Sequence, residues 1–134
     1  MEERTWSSRI LPGPHGAGLS SAEAREAARN ILAGLHTSPA GVDNVLTVVT
    51  EMISNASRHA GGATAFQMTA RAGTVTVQVS DCSLSPPRVQ PWAPDTPGGF
   101  GWRLVNQLAT TGVLLHRGGK TVTATLAVAA TVQA

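Results

Sequence analysis

The spacing of hydrophobic positions changes twice along the chain. From Val42 to Ala60, the apolar residues Val45, Leu46, Val48, Val49, Met52, Ile53 and Ala56 recur at helical spacing and cover enough of the surface to predict a largely buried helix. Thr37-Ser38-Pro39 provides a cap with proline at the first helical position, and Gly61-Gly62 stops the helix. Upstream, Ser20 and Glu23 have capping-box spacing, and Ala24, Ala27, Ala28, Ile31, Leu32 and Leu35 give a second apolar face running to about His36. These two helices are expected to lie antiparallel. Beyond Gly62 the period falls to two. Thr64–Arg71 and Thr74–Asp81 alternate apolar with polar residues around Ala72-Gly73, which predicts a hairpin with one buried face.

Asp81 to Gly98 has no period and contains Pro86, Pro87, Pro91, Pro94 and Pro97, so a long loop is expected. Gly98-Gly99-Phe100-Gly101 then opens a third helix, Trp102 to Thr110, with Leu104, Val105 and Leu108 inward. Gly112–Arg117 and Thr121–Val128 form a second hairpin around Gly118-Gly119, and Thr5–Leu11 reads as an edge strand. The sum is an α+β two-layer sandwich, a mixed, mostly antiparallel sheet with helices on one face.

Composition narrows the class. With 134 residues, 42% hydrophobic and 13% charged, the chain suits one globular domain over residues 1–134, large enough for a core and a pocket. Its net charge is only +2 and its arginines form no stripe, which argues against nucleic acid as a partner. Cys82 is the only cysteine, so no internal disulfide can form; with a polar start and no run of about 20 apolar residues, a cytoplasmic protein without membrane contact is expected.

Three polar groupings carry candidate chemistry. Glu51 and Asn55 stand one turn apart on the long helix and so share a face, with His59 a turn further. They lie either at a ligand site or on the one solvated strip of a core helix. Asp81 ends a strand, where a carboxylate can accept from an exocyclic amine or simply serve a turn. The glycine-rich turn entering the third helix offers backbone N–H groups and a positive dipole end, suited to phosphate. An asparagine oxygen is a natural Mg²⁺ ligand, because that ion keeps several waters and takes other oxygens from phosphates. Lys120 reads as a solvated turn lysine or one that reaches a phosphate.

The order Glu51-x-x-x-Asn55-Ala56-x-x-His59-Ala60, a strand ending in Asp81, Gly98-Gly99-x-Gly101 with Leu104-Val105, and Gly119-Lys120-Thr121-Val122 resembles the GHKL ATPases. Within that group the chain is most similar to small bacterial anti-sigma-factor serine/threonine kinases and their single-domain relatives. The resemblance implies the histidine-kinase-like ATPase fold, with residues 82–97 part of an ATP lid. It implies ATP and Mg²⁺ as cofactors, Glu51 as the general base, and Asn55 as metal ligand. It further implies Asp81 on the adenine amine, Gly98, Gly99 and Gly101 around the phosphates, and Thr121 near the adenine. The implied activity transfers the γ-phosphate to a Ser or Thr of a protein antagonist. The implied partners are a sigma factor, an anti-anti-sigma protein of the STAS type, and a second copy in a homodimer.

One stretch departs from the family pattern. Asp81-Cys82-Ser83-Leu84-Ser85 stands where the family usually has Asp-x-Gly-x-Gly, which narrows the room beside the base. A non-catalytic ATP-binding interaction module with a degenerate pocket is therefore the alternative, and an α+β domain without nucleotide is the third reading.

Overall fold

The computed structural model describes residues 3–9, 19–71, 73–86 and 99–129. Its elements follow in the order β1 (Glu3–Arg9), α1 (Ser21–Ala33), α2 (Pro39–Ala60), β2 (Ala63–Arg71), β3 (Thr74–Asp81), α3 (Gly99–Leu108), β4 (Thr110–His116) and β5 (Gly119–Ala127). The strands form one sheet in the order β1-β2-β3-β5-β4. Each of its pairings is antiparallel. The two-layer α+β sandwich is thus the architecture found, and β3, which ends in Asp81, is the middle strand.

Local signals set the ends of the helices. Ser20 caps α1, accepting from Glu23 N–H at 3.1 Å, while the Glu23 carboxylate accepts from Ser20 N–H at 3.2 Å. Ser38 accepts from Gly41 N–H at 3.1 Å and Pro39 opens α2, a position whose missing N–H costs nothing. At the far end Gly61 adopts φ 74°, a left-handed cap open to glycine at little cost. The N-terminus of α2 is also tied to the end of β5, since Ser38 N–H donates to Ala129 O at 2.8 Å.

The helix α2 is the hub, touching α1 and α3 on its flanks and β2, β3 and β5 beneath. Val45, Val48, Val49, Met52, Ile53 and Ala56 are buried on it, facing Phe66, Met68 and Ala70 of β2 and Val75, Val77 and Val79 of β3. Ala24, Ala28, Ile31 and Leu32 close the core from α1, and Trp102 and Val105 close it from α3. Burying each large side chain is worth about 1.5–3 kcal/mol, so this single core dominates stability. Trp102 belongs to the core.

Several boundaries differ from the predicted ones, each for a local reason. The second hairpin turns at Arg117-Gly118, with His116 opposite Gly119 and Gly118 at φ 86°, so β5 starts at Gly119 and not at Thr121. That two-residue shift brings Lys120 into the sheet. Gly99 and Gly101 lie inside the first turn of α3 and do not precede it. The edge strand β4 pairs with β5 on one side, and Val113, Leu114 and Leu115 are exposed on it.

Candidate functional site

Glu51 and Asn55 sit on the rim of the buried face of α2, each half-buried beside fully buried neighbours. Neither side chain makes a hydrogen bond or ion pair with another described residue, so a carboxylate and a carboxamide are both left open to a ligand. Glu51 also lines a shallow groove of about 360 Å³ between α1 and α2, together with Arg25, Arg29, Asp43, Leu46, Thr47 and Thr50. Within it Arg25 Nη1 donates to Thr50 Oγ1 at 3.2 Å.

The first turn of α3 crosses α2 at Glu51. A Cβ built on Gly101 would overlap Glu51 Oε2 and stand 2.9 Å from its Cδ, so the backbone can approach the carboxylate only because this residue is glycine. The positive end of the α3 dipole is thereby set against an acidic side chain, at the place where the sequence suggests phosphate recognition. Gly99 lies in the same turn. Gly98 and residues 87–97 of the proline-rich loop fall outside the described residues.

At the end of β3 the arrangement departs from expectation. Lys120 is neither solvated nor a turn residue; it is 2% exposed, and its Nζ donates to Asp81 Oδ1 at 2.8 Å. The two residues stand directly opposite each other across β3 and β5, so their side chains share the helix-covered face. Asp81 Oδ1 also accepts from Ser83 N–H at 2.9 Å, which folds the chain after the strand back onto its carboxylate. A Cβ at Gly119 would overlap the Asp81 carbonyl oxygen, so glycine is what lets β5 start so close to β3. Burying both charges costs desolvation on each side, and the ion pair with the added amide bond offsets it.

Thr121 falls on the other side of the sheet. It pairs with Ser80 by register, the two hydroxyls lie 2.8 Å apart, and its Oγ1 is 3.1 Å from His116 Nε2. Side chains alternate along a strand, so one position separates the two faces, and the position beside Asp81 belongs to Lys120. The structure therefore brings Glu51 together with Gly101, and Asp81 together with Lys120, while Thr121 joins neither pair. The signal for Lys120 is present in the sequence: Val122, Ala124 and Leu126 are the buried positions of β5, and the same parity leads back to residue 120. Among the described residues no group of three His, Cys, Asp or Glu side chains is placed to hold a metal ion. Likewise, no described helix is long and apolar enough to cross a membrane.

Comparison with known proteins adds a family to this geometry. Among solved structures the chain is similar to the RsbU and RsbW domains of Rv1364c from Mycobacterium tuberculosis, with TM-score 0.64 and 17% identity. The match covers 97% of this chain and 35% of that one, so the chain spans about a third of the solved structure and shares its fold over that part. No curated protein matches the chain. The family described as "histidine kinase-like ATPase domain" matches residues 19–126, a span running from just before α1 to the next-to-last residue of β5. With most of its length matched, the chain belongs to the histidine kinase-like ATPase family.

Proposed function

We propose that this chain is an ATP-binding regulatory protein of the anti-sigma-factor kinase type, which transfers the γ-phosphate of ATP to a serine or threonine of a STAS-type protein antagonist. The observation that carries this reading is Glu51, a carboxylate without a partner among the described residues, which lies against the first turn of α3 in the space left by the missing side chain of Gly101. The residues present suit the nucleotide. Asn55 offers a carboxamide oxygen for Mg²⁺, the amides of the α3 turn offer donors for phosphate, and Asp81 offers an acceptor for an exocyclic amine.

When bound, Mg-ATP would supply an activated phosphoryl group whose charge the metal neutralises. The part left to this chain is positioning and proton removal. Glu51 would take the proton from the attacking hydroxyl, a contribution typically worth 10²–10⁴-fold. The missing Cβ of Gly101 would leave that carboxylate room at the end of α3, and the groove lined by Arg25, Arg29 and Glu51 would give the acceptor chain a route to it. A cytoplasmic setting, a sigma factor as second partner and a homodimer complete the proposal.

A second reading, a non-catalytic ATP-binding interaction module, draws on one observation: Asp81 is already engaged by Lys120. One experiment separates the two. Purified protein is melted with and without Mg-ATP, then incubated with labelled ATP and STAS-type antagonists from its own cell. Nucleotide at about 100 times its dissociation constant should add about 2.7 kcal/mol of stability. Stabilisation with label transfer supports the kinase, stabilisation without transfer to any antagonist supports the module, and an unmoved melting point ends both.

A further inference from the structure

We infer that Lys120 is a base-reading residue, donating to the ring nitrogen N1 of the adenine while Asp81 accepts from the neighbouring amine. The inference rests on the ATP-binding reading given above and extends it to a residue that reading does not use. Lys120 lies on the helix-covered face of the sheet, 2% exposed, with its Nζ 2.8 Å from Asp81 Oδ1.

An ammonium group carries three donors, and among the described residues only one of them meets an acceptor. A carboxylate has two oxygens, and here Oδ1 takes both described donors, Lys120 Nζ and Ser83 N–H, whereas Oδ2 takes none from the described residues. The pair therefore holds a donor and an acceptor in reserve, on two groups in direct contact. Lys120 is so enclosed that its spare donors have little access to bulk water, so a ligand that supplies an acceptor there gains more than it would at the surface.

The edge of a 6-aminopurine is the complement of that arrangement, with an N–H donor on the exocyclic amine next to an acceptor at N1. A 6-oxopurine presents the opposite order, acceptor then donor. Pairing Asp81 with a lysine thus turns a one-point contact into a two-point reading of the base, and it explains why the lysine is buried instead of reaching for phosphate. Thr121 cannot do this, because it occupies the opposite face of the sheet with Ser80.

The test is calorimetric binding in the presence of Mg²⁺, with ATP, GTP and 1-deaza-ATP, in which a C–H replaces N1. The unmodified protein should bind ATP about tenfold or more tightly than 1-deaza-ATP, as expected for a hydrogen bond from a charged donor. It should also prefer ATP to GTP. In Lys120→Met the gap between ATP and 1-deaza-ATP should close. Lys120→Arg, which keeps a charge against Asp81 but displaces the donors, should narrow that gap and guards against loss of fold in the first variant. Equal binding of ATP and 1-deaza-ATP by the unmodified protein overturns the inference while leaving the ATP-binding reading in place. So does an undiminished gap in either folded variant, or an ATP affinity that rises in Lys120→Met, the mark of a plug. Failure of the unmodified protein to bind ATP at all overturns both.

Discussion

Gly101 and Glu51 meet so closely that no side chain fits between them: a Cβ on the glycine would overlap the Oε2 atom of the glutamate. The atom in the way is the far end of a flexible side chain, so the clash is relieved by moving the carboxylate and not by unfolding the helix. Gly101→Ala should therefore divide stability from function. Alanine in a helix is worth up to about 1 kcal/mol over glycine, so the melting temperature should hold or rise. Phosphotransfer should drop about 100-fold, because the base is displaced. A variant that transfers phosphate at the original rate would show that the position of Glu51 over α3 is immaterial.

Glu51→Gln keeps the size and hydrogen-bonding reach of the side chain but removes the proton acceptor. Transfer to an antagonist should fall by about 10²–10⁴-fold while ATP affinity stays within a few-fold. The pairing of single-turnover rates with titration reads both quantities. Parallel loss of affinity and rate would recast Glu51 as a binding residue.

Asn55→Ala should make nucleotide binding indifferent to magnesium. With its carboxamide oxygen gone, affinity in Mg²⁺ should weaken by about tenfold, whereas affinity measured in EDTA should barely change. The ratio of the two dissociation constants is the measurement. If it matches that of the unmodified protein, the metal is held without this residue.

The Asp81–Lys120 pair predicts a signature in stability. Removing one partner leaves an uncompensated buried charge, so Asp81→Leu or Lys120→Met alone should cost about 3–5 kcal/mol in urea unfolding. The double variant, with apolar side chains at both positions, should recover most of that loss. Additive losses in the double variant would mean that the 2.8 Å contact carries no coupling.

Periodicity was enough to read the layers, and α2 most clearly, because Val45, Val48, Val49, Met52 and Ile53 repeat at helical spacing and Ser38, Pro39 and Gly61 mark its ends. The span of β3 was equally plain, since Val75, Val77 and Val79 alternate up to Asp81. Lys120 was harder to read because two glycines precede it. Gly118-Gly119-Lys120 looks like a solvated turn until register shows that Gly119 already pairs with His116. That displacement puts Lys120 inside the strand, directly opposite Asp81. The meeting of Glu51 with Gly101 was not legible at all, since it depends on the angle at which α3 crosses α2, and no local pattern encodes a crossing.

The rim strand β4 has a consequence of its own. Leu114 is 67% exposed and Leu115 53%, on a strand whose outer ladder has no described neighbour. Backbone without a described partner and edged with aliphatic side chains is a template on which another extended chain can zip. A charged residue at position 114 is therefore expected to lower any self-association at high concentration, read by light scattering.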